Sequence, residues 1–459
     1  MALDLERLDA VGAVAAIREG GGSAGDYAAA LAERAARHAG LNALQSFDAA
    51  QCIREAEEAV AATPDGALAG LPIVVKDNIN TTTYPTSGGT GALLGHRPAT
   101  EAGIVRRIRA AGGFVGAKSG MHELAFGITS NNAVTGPVRN PHDQALIPGG
   151  SSGGTAAAIA AGIFPLGLGT DTGGSCRIPA SLCGTVGFRP STGRYPGDGV
   201  VPISHTLDTV GSFARSVADI ALLDRVVTGQ AAEPRRSLSG VRLGLPKSRF
   251  YDNLDPAVET ATQAALTRLE AAGATLVDIS LQDIWAHAEA FSIPVGLFEV
   301  VRDLPGYLAE HAPGISFDAL VDGIGSPDVK GFIASQLGGD AIPVQAYDEA
   351  MTVHRPAMLR IYNRVFANNA LDAIVFPTTP LTARPIGEDE TVELNGARVP
   401  TFATYIRNTD LAPNIGAPGI SLPCPVSSGL PVGIEFDALP GGDLSLLALA
   451  RAAEHVLAQ

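Results

Sequence analysis

Four groups of residues in this 459-residue chain have types and spacings that could do chemistry. The first is Gly116-Ala117-Lys118-Ser119-Gly120, which with Gly112 approaches a phosphate-binding loop. That loop needs glycine directly before its lysine so that backbone amides can turn towards phosphate, and Ala117 stands there instead. The second is the set of nine histidines, which show no HExxH or HxH spacing, so no metal site is expected. The third is the pentapeptide GxSxG, met twice in register across Gly149–Gly154 ahead of an alanine-rich helical stretch. That is the setting of a nucleophile elbow, but the run before Ser151 is too short for an apolar strand and contains Pro148. It stays the lesser reading of this loop.

The fourth group joins two loops rich in glycine and serine, Pro148–Gly154 and Gly169–Pro179, to an upstream lysine. A helix and a strand between the loops return the second beside the first. Ser175 follows Asp171-Thr172-Gly173-Gly174, where consecutive backbone N–H groups can line one concavity suited to an oxyanion. A serine hydroxyl is almost wholly protonated at neutral pH and needs a base. Lysine serves as one when burial destabilises its ammonium form. Lys76 is placed for that, at the end of the apolar run LPIVV. Taken singly, each of these residues fits a loop hydroxyl or a solvated lysine. The order Lys, Ser, Ser within glycine-dense loops is far more specific.

Elements that bring such residues together are visible along the chain. Residues 1–63 are alanine-rich and helical in period, which predicts two or three helices laid on a sheet. Leu71–Val75 reads as a strand, a helix follows from a cap at Thr100 to Gly112-Gly113, and Phe114–Ala117 reads as the next strand, so the three form a crossover unit. Ser216 and Asp219 fit a capping box opening the helix SVADIALLDRVV, and Gly229–Gly240 reads as a surface linker. The strands VRLGLP, ATLVDISL, DAIVFP and GISLP then alternate with helices, one of them capped by Asp255 with Pro256 in its first turn. An amphipathic helix near DLSLLALARAAEHVL closes the chain. The expected fold class is α/β, a single large domain with a central mixed β-sheet flanked by helices. Its parts are an N-terminal helical layer (1–63), a core carrying the catalytic loops (70–228), and the remaining sheet with the substrate-pocket region (241–459).

Composition narrows the function classes. The 54 glycines and 31 prolines make up close to a fifth of the chain, yet 46% hydrophobic content and the lack of a glycine triplet repeat exclude collagen and disorder. A net charge of −15 without a long basic run argues against nucleic acid and anionic membrane as partners. Asp4, Glu6, Arg7 and Asp9 stand where an export signal would be apolar. The uncharged stretch Gly149–Thr170 carries seven glycines and Pro165, and reads as loop, helix and strand rather than a membrane span. Cys52, Cys176, Cys183 and Cys424 show no CxxC spacing, so a cytoplasmic location is expected.

The stretch Gly149–Ser191 resembles the signature of the amidase signature family, and GLPIVVKDNI (Gly70–Ile79) is similar to that family's lysine motif. Similarity extends to GAKSGMHELAFG, TLDTVGSFARSVADIALL, Phe376–Pro380 and Asn414–Pro423, and so covers most of the chain. The resemblance implies the amidase signature fold and a serine hydrolase of C–N bonds that uses no metal or organic cofactor. It implies Lys76 as base, Ser151 as a bridging serine after a cis peptide bond from Gly150, and Ser175 as the nucleophile that forms an acyl-enzyme. The oxyanion hole maps to the backbone amides of Thr172, Gly173, Gly174 and Ser175. Cys176 stands where an aliphatic residue is usual and Ser212 where proline is common, departures that bear on pocket shape.

Within the family, MHELAFGITSNNAVTGPVRNP and STGRYPGDGVVPISHTLDTVGS are most similar to hydrolases of arylacetamides, such as indoleacetamide and mandelamide hydrolases. The same resemblance puts Leu124, Phe126, Gly127 and Ile128 on the acyl pocket, although Leu124 and Phe126 read equally well as core. Residues 285–298 and 401–407 offer an apolar wall. The expected partner is a small-molecule amide, with carbamates or esters as the alternative. A glutaminase subunit of a tRNA-dependent amidotransferase ranks lower, because the segment after GFRPSTGRYP lacks that subunit's pattern. The intact Lys, Ser, Ser set opposes a degenerate binding protein. Whether the chain forms a homodimer stays open.

Overall fold

The computed structural model describes residues 8–231, 233–234, 236–426 and 429–458. Its strands, in chain order, are β1 (Leu44–Phe47), β2 (Pro72–Lys76), β3 (Phe114–Ser119), β4 (Leu166–Asp171), β5 (Val186–Arg189), β6 (Thr209–Ala214), β7 (Arg242–Pro246), β8 (Thr275–Ile279), β9 (Ala373–Pro377), β10 (Thr391–Leu394), β11 (Ala397–Pro400), β12 (Gly419–Pro423) and β13 (Gly433–Asp437). Eleven of them form one twisted mixed sheet in the order β1-β3-β2-β4-β6-β5-β12-β13-β9-β7-β8, while β10 and β11 make a separate hairpin.

The centre of that sheet is where the catalytic candidates sit. Every residue of β2 and of β4 is buried, because both faces are covered and the strands are correspondingly apolar. β2 runs parallel to both β3 and β4. The carboxyl ends of these parallel neighbours therefore open at the same edge, which is where sites form in such sheets. Lys76 ends β2 and Asp171 ends β4. The helix Gly153–Ala160, built from small residues, packs on this part of the sheet with only its last residue less than fully buried. Gly154 is required there, since a Cβ on it would lie 2.6 Å from the Ala43 carbonyl oxygen and closer still to that of Gly120.

The strand, helix, strand unit over residues 71–119 forms as expected, with two adjustments. The helix spans Gly103–Ala110 and starts after Ala102 rather than at Thr100, because Glu101 is engaged with Arg109. At the helix Val217–Thr228, Ser216 Oγ accepts the Asp219 N–H, but the Asp219 carboxylate accepts Val11 N–H at 2.9 Å instead of closing the box. That bond ties the N-terminal helices to the sheet layer. Residues 1–7 of the N-terminal layer, and positions 232 and 235 of the expected linker, lie outside the described residues.

Three elements escape a reading by pattern alone. β1 is a partly buried edge strand without an apolar run, and pairs antiparallel with β3. β13 pairs with β12 and β9 although its sequence, GIEFD, carries two carboxylates. The helix Trp285–His311 continues through Pro294 and Pro305. By length and composition this helix could cross a membrane, with half of its apolar window buried within the described structure. Its buried face, including Phe291, Val295, Val300 and Leu304, packs into two hydrophobic clusters.

Candidate active site

The site grows from the end of β2. Lys76 Nζ is fully buried and lies 2.8 Å from Ser151 Oγ and 2.8 Å from Thr170 Oγ1. Asn78 Nδ2 donates to the same threonine hydroxyl at 3.1 Å. Burial pushes the Lys76 ammonium down to about 7, against opposing pulls from Asp171 and Asp208. The neighbouring Cys176 thiol is itself pushed well up by burial and stays uncharged near neutrality, so it adds no negative charge to hold the ammonium. A neutral amine has one lone pair, and at this position it can accept the Ser151 proton while an N–H is given to Thr170.

Ser151 follows a cis Gly150–Ser151 peptide bond and leads into the helix Gly153–Ala160. Its carbonyl oxygen accepts His122 N–H at 3.1 Å, and Ser130 Oγ accepts the Gly153 N–H at 3.1 Å. The second loop docks on the first through Ser152 N–H, which donates to the Ser175 carbonyl at 3.3 Å. Ser175 is 8% exposed, and that exposure opens on a cleft.

The loop from Thr172 to Ser175 is fixed by groups on every side. Thr172 Oγ1 donates to Asp208 Oδ1 at 2.6 Å, and Thr409 Oγ1 donates to the Gly173 carbonyl at 2.6 Å. Gly174 has φ of +132°, and a Cβ there would collide with Thr409 Oγ1. The Gly174 N–H donates to Asp171 Oδ1 at 2.9 Å and the Cys176 N–H to Asp171 Oδ2 at 3.0 Å. Of the amides expected to hold an oxyanion, that of Gly174 therefore already has an acceptor in Asp171.

Asp171 is the anchor of this loop. Burial pushes its carboxyl up, but the buried guanidinium groups of Arg177 and Arg189 beside it hold it well below the usual carboxylate range. Arg177 also reaches Glu435 Oε1 at 2.5 Å. Sequence reasoning did not single out Thr170, Asp171, Arg177 or Asp208. Their signal was present, since Asp171 and Arg177 flank Ser175 within one glycine-rich loop.

The cleft is narrow, lined mainly by apolar side chains and open to solvent. Phe126, Gly127 and Ile128 line it as expected. Leu124 does not: it adopts φ of 48° and packs with Leu93, Val201 and Val300 in a separate cluster. The expected walls contribute Ser292, Ile293, Gly296 and Leu297 from one segment and Phe402 and Ile406 from the other. Trp285 instead packs against Phe250. Phe332, unforeseen, lies between Phe126 and Phe402 with ring centroids 6.1 and 5.9 Å away.

The near-match to a phosphate loop has a structural role. Lys118 sits within β3, fully buried, and donates to the Ile79 carbonyl at 2.6 Å and to Thr86 Oγ1 at 2.8 Å. It fixes the segment that follows Lys76. His205, Glu299 and Asp303 converge at the surface, where the Glu299 carboxylate accepts from the hydroxyls of Ser204, Thr206 and Tyr347.

Comparison with known proteins gives the family and the fold. The family model described as Amidase matches residues 26–447. The chain is 42% identical to an indoleacetamide hydrolase of Allorhizobium ampelinum over 94% of both chains. It is 41% identical to a mandelamide hydrolase of Pseudomonas putida over 91% of this chain and 85% of that one. A solved amidase superposes with a TM-score of 0.87 at 33% identity, covering 98% of this chain and all of the other.

Proposed function

Since the chain belongs to the amidase family and is an amide-hydrolysing enzyme, we propose that it cleaves small aryl-substituted primary amides through Lys76, Ser151 and Ser175. The observation that carries the reading is the buried Lys76 amine, 2.8 Å from Ser151 and pushed down to about 7, beside a serine that opens on an apolar cleft. The names of the relatives supply the substrate class, and the apolar lining of the cleft suits it.

In the first half-reaction Ser175 Oγ forms a bond to the amide carbonyl carbon. Its proton passes to Ser151 Oγ as the Ser151 proton passes to neutral Lys76. The carbonyl oxygen becomes an oxyanion held by the amides of Thr172, Gly173 and Ser175. The C–N bond then breaks, and the relay returns the proton to the departing nitrogen, which leaves as ammonia. In the second half-reaction water attacks the acyl carbon and gives its proton to the same relay, which passes it to Ser175 Oγ as the C–O bond to the acyl group breaks, releasing the carboxylic acid and restoring neutral Lys76.

Incubation of the purified enzyme with indoleacetamide, mandelamide, an aliphatic amide, an aryl carbamate and an aryl ester tests the substrate class. The reading predicts equimolar ammonia and aryl acid, with kcat/KM highest for the aryl amides. Preference for the carbamate or ester would replace it.

A further inference from the structure

Away from the catalytic loops, the polar side chains that line the cleft are Ser292 and Asp410. Ser292 lies on the helix Trp285–His311, and Asp410 precedes the short helix Leu411–Ile415. Ser292 Oγ donates to Asp410 Oδ1 at 2.6 Å, while Asn414 Nδ2 reaches Asp410 Oδ2 at 3.5 Å, the outer limit of a hydrogen bond. Each carboxylate oxygen thus has one donor, and since a carboxylate offers about four acceptor positions, it can accept a further bond from a group in the cleft. A Cβ on Gly173 would lie 3.7 Å from Asp410 Oδ1, so the carboxylate borders the oxyanion loop. Burial raises its pKa, an effect that Ser292 donation, the Arg249 charge, Asn414 donation and the Arg177 charge offset only in part.

We propose that Asp410, oriented by Ser292, is the specificity-determining acceptor for an N–H or O–H donor on the apolar part of the substrate. The substrate class then narrows from aryl amides in general to those carrying a ring N–H or an equivalently placed hydroxyl. This rests on the aryl-amide reading above. A pocket with an acceptor built for such a donor rejects the analogue that lacks it, because binding the analogue leaves that acceptor position unpaired. A purely apolar pocket discriminates far less.

The test compares indole-3-acetamide with 1-benzofuran-3-acetamide, which has the same outline with oxygen in place of the ring N–H. The wild-type enzyme is expected to favour the indole by about tenfold or more in kcat/KM, the effect of one hydrogen bond to a charged group. Asp410→Leu should bring that ratio to within about threefold of one, and Asp410→Asn, which keeps one acceptor oxygen, should give an intermediate ratio. Thermal melting of each variant establishes that it is folded; a wild-type ratio near one overturns the proposal whatever the variants do, and if Asp410→Leu does not fold, the ratio in Asp410→Asn carries the assignment, an unchanged ratio there overturning it. Equal wild-type values would overturn the proposal. So would an equal loss on both substrates in folded Asp410→Leu, which would make Asp410 a scaffold or a partner of the scissile amide. A wild-type enzyme that turns over aliphatic amides but neither aryl substrate would instead remove the aryl-amide reading, a distinguishable failure.

Discussion

In the proposed mechanism Lys76 has to be uncharged at the moment Ser175 loses its proton, and burial favours that form. With its value near 7, the ammonium form dominates below that pH and the amine above it. The expected kcat/KM profile therefore falls about tenfold per unit as pH drops below about 7 and reaches a plateau above it; steady-state rates from pH 5 to 9.5 check this, and an acidic optimum would contradict it. Thr170 tunes the same base. Its hydroxyl accepts a bond from Lys76 Nζ and favours the charged form, so Thr170→Val should lower kcat by about tenfold with little change in KM. The inflection of the profile should move to lower pH in that variant. At this scale the sequence was legible where residues cluster in a motif. Lys76, Ser151 and Ser175 stand in segments whose glycines and serines announce a site. Asp410 and Phe332 reach the cleft from segments far along the chain with no local pattern to mark them, and the apolar stretch that marked residues 285–298 as a wall did not single out Ser292. For Leu124 the core alternative holds, its left-handed backbone setting it among Leu93, Val201 and Val300, which a linear motif does not reveal.

Helices and strands hold these residues through close backbone contacts. Gly154→Ala should lower stability by about 1–3 kcal/mol, because the new Cβ meets backbone carbonyls that cannot rotate away. Calorimetry reads the loss of stability, and reduced activity should accompany it, since Ser151 lies just ahead of the same helix. The strands of the parallel core were readable from apolar, β-branched runs ended by turn residues. The helix Trp285–His311 was not, because Pro294 and Pro305 are local stop signals, each costing about 3 kcal/mol in an isolated helix interior. Burial of Phe291, Val295, Val300 and Leu304 outweighs that local preference. The same helix delivers Ser292 and Leu297 to the cleft. A sequence rule that ends helices at proline thus finds the apolar wall of residues 285–298 but not the single helix that carries it.

Across the whole molecule, a buried charge network joins the catalytic loop to the far half of the sheet. Asp171 ends β4, Arg177 and Arg189 flank it, and Arg177 crosses to Glu435 on β13. Burial pushes Glu435 well above its ordinary value and Asp437 up to about 6. Glu435 Oε2 and Asp437 Oδ1 lack partners, and a proton on Glu435 donated to Asp437 satisfies both. The network then balances two cations against Asp171 and Asp437. Glu435→Gln, which keeps the shape and a donor, should therefore change the unfolding free energy by no more than about 0.5 kcal/mol. Asp171→Asn leaves two buried guanidinium groups under-compensated and should cost about 3–5 kcal/mol. Chemical denaturation of the two variants separates these outcomes. None of this was visible in sequence, since each charge taken alone reads as a surface residue.

The account rests on Ser175 as the residue that becomes acylated, and covalent labelling with a fluorophosphonate followed by peptide mass mapping tests it most directly. It predicts a single adduct on Ser175, absent in Ser175→Ala and formed much more slowly in Lys76→Ala at pH 8. An adduct on Ser151 or Ser152, or undiminished labelling of the Ser175→Ala protein, would contradict it.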